Sequence, residues 1–249
     1  LPDILQQIVA DKRREIDAAR AAVPLAEVRA RAADSPRPRN FFAAMTRPTD
    51  AGDPPPFRVI AEVKKASPSA GVIRADFDPV ALAGAYHAGG ASAISCLTDA
   101  KYFRGDLASL AAIKDAVPLP VLRKDFIVDP YQLYESRAAG ADAVLLIAEC
   151  LDEPLLLDLL ILATELKLTT LVEVHDVENL LKVRPHLGFP HPKYTLLGIN
   201  NRDLRTMTTD VSHTLRLLEM VDDPAIVVSE SGIREPNDLR RLEREGVTK

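Results

Sequence analysis

The stretch PVLRKDFIVDPYQLYESRAAGADAVLLI, from Pro120 to Ile147, reads as one strand–helix–strand unit. Its apolar runs, Pro120–Leu122 and Ala143–Ile147, are short and bounded by turn signals, as buried strands are. Between them Gln132–Ala139 carries a helical pattern, and GADA (Gly140–Ala143) places a glycine stop before the second strand. The runs are apolar nearly throughout rather than alternating. That is the pattern of a parallel sheet covered on both faces.

The unit repeats in both directions. Further runs are Val59–Val63, Ala93–Leu97, Thr170–Val174, Leu196–Ile199 and Ala225–Val228, with helical patterns such as Pro79–Ala88 and Pro154–Leu166 between them. GGAS (Gly89–Ser92) is a second glycine stop, and Asp76 and Asp78 before Pro79 read as helix caps. Strands recurring every 23–33 residues or so are the cadence of a parallel βα repeat. The expected fold is a (β/α)8 TIM barrel over residues 58–249. A doubly wound sheet is the weaker alternative, because no GxGxxG follows the first strand.

Seven runs are found, then a helix at Pro236–Glu245. An eighth strand should begin at Gly246, and an open seven-strand sheet leaves an unpaired edge. The eighth βα unit is therefore expected to be missing from this sequence, and the start at Leu1 rather than Met suggests a trimmed amino terminus.

Residues 1–57 read as an N-terminal helical extension and loop capping the barrel. Ile4, Leu5, Ile8 and Val9 form an apolar stripe within a helical region over 1–33, which Pro24 interrupts. Residues 34–57 hold Pro36, Pro38, Pro48 and Pro54–Pro56 and read as a wrapping loop around a short Phe41–Met45 helix.

Composition narrows the function. The 249 residues are 47% apolar and 27% charged, enough for a full core in an ordinary enzyme. A net charge of −5 argues against nucleic acid as a partner, and the lack of a long apolar run argues against a membrane. The charges Asp3, Asp11, Lys12 and Arg13 do not suit a signal peptide. Cys96 and Cys150, without CxxC spacing, read as buried reduced thiols in a reducing, cytoplasmic compartment. The histidines show no metal spacing, and neither a Walker loop nor a nucleophile–base triad is visible.

Barrel enzymes place their chemistry at the carboxyl ends of the strands. Charged and polar residues gather at those ends here: Glu62 and Lys64 on the first, Lys124 on the third, Glu173 within the fifth, Asn200 and Arg202 on the sixth, Glu230 on the seventh. Glu62 and Lys64 share a face by strand alternation, as do Asn200 and Arg202. Lys65 and Arg123 are one residue out of phase and read as outward contacts. An isolated buried Glu173 would be costly, so it needs partners. The set predicts a mixed-charge pocket that can hold acids and bases with separated pKa values.

At these residues the chain resembles the indole-3-glycerol-phosphate synthases. AEVKKASPSAG (Ala61–Gly71), LRKDFIVDPYQ (Leu122–Gln132), LVEVHD (Leu171–Asp176), GINNRDL (Gly198–Leu204) and SESGI (Ser229–Ile233) stand in that family's order and spacing. SCLTD (Ser95–Asp99) and YFRG (Tyr102–Gly105) resemble its second-strand loop, with minor departures. The resemblance implies closure of an indole ring on 1-(2-carboxyphenylamino)-1-deoxyribulose 5-phosphate, in tryptophan biosynthesis, with loss of carbon dioxide and water. It implies no cofactor and no metal, a small phosphosugar–anthranilate substrate, and a monomer or homodimer. It suggests Lys124 as general acid, Lys64 and Glu62 as acid and base for dehydration, and Glu173 as a carboxylate that stabilises positive charge. Asn200 and Glu230 would fix hydroxyls and the ring nitrogen. Arg202 would hold the pocket's acids or the substrate carboxylate, and Phe126 and Pro68 would pack on the ring. Ser67 and Gly232 resemble phosphate ligands, and Ser231 a substrate contact. Strand parity cannot turn both Glu230 and Ser231 inward, so one must act from a loop. The family's other phosphate ligands lie beyond an eighth strand. Two alternatives stay open: a Schiff-base aldolase using Lys64 or Lys124, and a silent barrel that only binds a phosphosugar or a protein.

Overall fold

The computed structural model describes residues 3–46, 57–203 and 206–249. The predicted prolines at 48 and 54–56, and the Leu204 end of the GINNRDL motif, lie outside them. Seven strands form one parallel sheet in sequential order: Ile60–Val63, Ala93–Leu97, Val121–Lys124, Ala143–Ile147, Thr169–Val174, Thr195–Asn200 and Val227–Glu230. Each pairs only with its sequence neighbours, which is TIM-barrel connectivity and excludes a doubly wound order. The seventh strand starts two residues later than the apolar run suggests, because Pro224–Ile226 forms a 3₁₀ turn. No eighth strand is present among the described residues. The chain's last residues instead lie between the two sheet edges: Arg58 N–H donates to the Thr248 carbonyl (2.7 Å) and Ser229 N–H to the Lys249 carbonyl (2.8 Å).

The connecting helices start and stop on chemistry visible in the chain. Asp78, Asp106, Asp129, Asp152 and Asp176 each cap a helix by accepting from first-turn N–H groups, and Pro79, Pro130 and Pro154 follow three of them. Asp76 is not a cap. It is exposed, near Arg74 (3.9 Å), because the helix begins only after Asp78. Gly90 and Gly140 take left-handed φ values of 86° and 88° at the stops before the second and fourth strands.

Alternation divides the core. Outward residues such as Ile94, Val121, Val144, Leu146, Val172 and Leu197 pack under the helices. Inward residues Ala93, Leu122, Ala143, Leu145, Leu171, Leu196 and Val228 fill the barrel's interior. Helix α1 (Asp3–Ala22) and α2 (Leu25–Asp34) precede α3 (Phe41–Thr46), which inserts Phe41 and Met45 into that interior cluster. Before α3, Arg39 donates to the carbonyls of Lys114 (2.8 Å), Val117 (2.7 Å) and Leu119 (2.8 Å) at the amino-terminal end of the sheet. No helix among the described residues is long and apolar enough to cross a membrane. Both cysteines are free. Cys96 is buried and Cys150 half-buried, and burial first, then a nearby carboxylate in each case, raises both thiols above their ordinary range.

Candidate active site

Inward alternation carries the polar residues to the carboxyl-terminal mouth. Lys124 lies within the third strand. Its Nζ is 3.3 Å from Glu62 Oε2 on the first strand and 3.3 Å from Glu230 Oε2 on the seventh. Lys64 forms an ion pair with Glu62. Across the pocket Asn200 donates to Glu173 Oε1 (3.2 Å) and accepts from the Arg202 N–H (3.0 Å). Arg202 reaches the same cavity, and its guanidinium has no ion pair among the described residues.

The pocket's electrostatics follow from these neighbours. Burial lowers the proton affinity of Lys124, but Glu230, Glu62 and Glu173 outweigh it and hold the ammonium well above the usual lysine range. Burial would raise Glu62, but Lys124 and Lys64 keep it below its ordinary value. Glu173 is likewise held low against burial, by His175 and then Lys124. Glu230 goes the other way: burial, then the Glu173 charge, push it up to about 8. Two carboxylates with separated proton affinities therefore face one ammonium.

Glu230 needs room. A methyl group on Gly198, on the adjacent sixth strand, would overlap its Oε1. Beyond Glu230 the chain turns through two left-handed residues, Ser231 (φ 67°) and Gly232 (φ 77°). That kink resolves the parity conflict: Glu230 points inward from the strand, and Ser231 reaches the pocket from the turn. Gly232 borders the adjoining cleft between the seventh and first strands rather than the central pocket.

Ser67 and Pro68 come from a ribbon pairing Ala66–Ser67 with Gly71–Val72, which periodicity did not reveal. Phe126 lies 6.1 Å from Phe103, ring centre to ring centre, on the apolar side of the pocket. Ile4, Leu5 and Ile8 of α1 line that side too, so the apolar stripe read from the sequence faces the site. Arg123 points out, as its phase requires, and binds Asp125 (3.0 Å) and Glu135 (2.7 Å). Lys65 also stays outside the pocket, over the Phe77 ring (5.9 Å).

Sequence reading missed His175 as a neighbour of Glu173, and Glu149 altogether. Glu149 follows the fourth strand's last residue by two, the same kind of strand-end position that marked the other charges.

A sequential parallel barrel with ammonium and carboxylate groups meeting inside its carboxyl-terminal mouth defines a (β/α)-barrel enzyme. The model of the family described as indole-3-glycerol phosphate synthase matches residues 5–249. Relatives so named are 47% identical in Rhodospirillum rubrum (97% of this chain, 89% of that one) and 48% identical in Rhodopirellula baltica (98% and 90%). A third, in Acidithiobacillus ferrooxidans, is 48% identical over 99% of this chain and 90% of its own. Among solved structures, phosphoribosylanthranilate isomerase from Thermotoga maritima is 16% identical over 75% of this chain and 81% of that one, with a TM-score of 0.49. The chain belongs to the indole-3-glycerol phosphate synthase family.

Proposed function

We propose that this chain is a carboxy-lyase whose catalytic groups are Lys124, Lys64, Glu62 and Glu173. The observation that carries this reading is the Lys124 ammonium lying 3.3 Å from both Glu62 and Glu230.

The ring carbon bearing the anthranilate carboxylate is a weak nucleophile. As it attacks the sugar carbonyl, negative charge grows on the oxygen. Lys124, kept protonated by its carboxylates, donates to that oxygen as the bond forms. General acid help of this kind is typically worth about 10²–10⁴-fold. Carbon dioxide then leaves as the ring regains aromaticity. Glu173 stabilises positive charge on these intermediates. Lys64 protonates the departing hydroxyl while Glu62 takes the complementary proton; their contact fits paired acid–base work.

The remaining groups orient the substrate. Asn200 and Glu230 bind hydroxyls and the ring nitrogen, Arg202 takes the carboxylate, and Phe126 and Pro68 sandwich the ring. Ser67, Ser231 and the backbone N–H of Gly232 face the phosphate end. Residues 3–46, in the 1–57 extension, act as a cap on the barrel, and the enzyme works in the cytoplasm on a small phosphosugar, as a monomer or homodimer.

A Schiff-base aldolase is disfavoured. A lysine pinned between carboxylates stays protonated and is a poor amine nucleophile. The test is indole fluorescence after adding the substrate to full-length protein and to Lys124→Ala. Wild type is expected to form product, and the substitution to lower turnover by at least about 10²-fold. Equal rates would remove Lys124 from the chemistry.

A further inference from the structure

We propose that His175 is a positioning residue whose imidazolium bridges Glu149 and Glu173 and holds Glu173 ionised and aimed into the pocket. This rests on the reading of Glu173 as the carboxylate that faces the reacting centre.

The contacts to the ring are charge pairs, close in distance but without hydrogen-bond angles. His175 lies two residues beyond Glu173 and faces the same side. Its Nε2 is 3.3 Å from Glu173 Oε1, and its Nδ1 is 3.3 Å from Glu149 Oε2. All three side chains are more than nine-tenths buried. A neutral imidazole has one donor and one lone pair, so one nitrogen would confront a carboxylate with a lone pair. With both neighbours ionised, the doubly protonated ring suits them best.

The main chain at His175 is anchored through both its N–H and its carbonyl. Glu149 Oε1 accepts from the His175 N–H (2.9 Å), and His213 Nε2 donates to the His175 carbonyl (2.9 Å). Glu149 therefore holds both the main chain and the side chain of one residue. Other titratable groups that act on the ring or on Glu173 are Glu230 on the seventh strand, Lys124, which faces Glu173, and His213, which feels the charge of His175. Burial lowers the imidazole's proton affinity, but Glu149 and then Glu173 raise it further, up to about 9. No group of three such side chains among the described residues is placed to hold a metal ion, so a ligand role does not compete.

Glu173 thus stands between two cations, His175 and Lys124. Removing His175 raises the proton affinity of Glu173 and takes from its Oε1 one of two close contacts, the other being Asn200. The experiment measures kcat and KM against pH for wild type, His175→Asn and Glu149→Gln, with melting temperatures alongside. In His175→Asn, kcat is expected to fall about tenfold with KM within about twofold. The acidic limb of kcat should move up by about one pH unit, the scale of losing one nearby opposite charge. Glu149→Gln should move the limb the same way and decides the matter if His175→Asn fails to fold. Limbs unmoved in every folded variant, whatever the melting temperatures, would reduce His175 to a structural part and overturn the proposal. A ring that NMR titration finds neutral at pH 7 in wild type would do the same. Glu173→Gln separates the two readings: wild-type turnover there sinks the role of Glu173 itself, whereas its loss leaves that role standing whatever His175 does.

Discussion

Lys12 Nζ on helix α1 lies 3.0 Å from Asp125 Oδ1, one residue after Lys124 in the chain. The same ammonium is 2.8 Å from Asp99 Oδ2 in the turn after the second strand. All three side chains are almost completely buried, with 6%, 2% and 1% of their surface exposed for Lys12, Asp125 and Asp99. Helix α1 is thereby tied to two catalytic-face loops by charge as well as by Ile4, Leu5 and Ile8. Deleting one member of a buried ion network strands the others. Lys12→Met should cost about 3 kcal/mol in urea unfolding. KM should rise, because Asp125 and Phe126 border the pocket. An unchanged urea midpoint would mean that the network contributes no net stability.

The same contact sets an acid response. Burial raises Asp125, but Arg123 and Lys12 outweigh it and bring the carboxyl down from 3.8 to about 2. A carboxyl held low in the folded state stabilises the fold above the unfolded value. That stability is lost as pH falls from 3.8 towards 2. The shift corresponds to about 2 kcal/mol. Lys12→Met should flatten this part of the stability–pH curve, measured by denaturant unfolding at stepped pH. A curve parallel to wild type across that window would show that Arg123 and the Thr98 hydroxyl set the Asp125 proton affinity without Lys12.

Gly198 is a steric requirement of the site, not of the fold. An added methyl group meets the far end of the Glu230 side chain and, at 3.3 Å, Leu171 Cδ1. The carboxylate can move aside, so stability should fall by less than about 1.5 kcal/mol. It would leave its place beside Lys124, however, and kcat/KM for Gly198→Ala should drop at least about tenfold. Wild-type kinetics in this variant would show that the position of Glu230 is not critical.

Much of this was legible in the chain. Apolar runs and aspartate or glycine punctuation give seven strands and their helices, because buried parallel strands and helix ends impose strong local constraints. The apolar signal stops early at the third strand, at Leu122, because the next inward residue is Lys124: the chemistry begins where the hydrophobic pattern ends. Lys12 and His175 were not legible as site neighbours. Their partners sit on other elements, and such ion pairs leave no periodic trace. Two-residue strands such as Ala66–Ser67 are too short to show alternation.

Glu230 should make wild-type stability fall with rising pH relative to Glu230→Gln. Its carboxyl is raised from 4.5 to about 8. Below 4.5 folded and unfolded chains both hold the proton. Between the two values only the folded chain does, so each pH step upward favours unfolding until the folded carboxyl ionises. Glutamine cannot ionise and is spared this. The melting temperature of Glu230→Gln minus that of wild type should therefore grow between pH 5 and 8. A difference flat across that range would place Glu230 at an ordinary carboxylate value and would remove the split between it and Glu173.

Phe41 tests whether stability and chemistry reside at opposite ends of the barrel. Its side chain is fully buried, beside Met45, in the interior cluster that includes Ala93, Ala143 and Leu196. No catalytic group lines this end of the strands, and the paired strands around the cluster leave its neighbours little freedom to collapse into a vacancy. Phe41→Ala should therefore lose about 3–5 kcal/mol, as large-to-small changes in such cores do. Chemistry at the far mouth depends on Lys124, Glu62 and Glu173, which the upper strand residues hold. So kcat measured well below the lowered melting temperature should stay within about twofold of wild type. If kcat instead falls tenfold or more in protein that is still folded by circular dichroism, the plug at the amino-terminal end is mechanically coupled to the site above it. The two ends could then no longer be treated as independent.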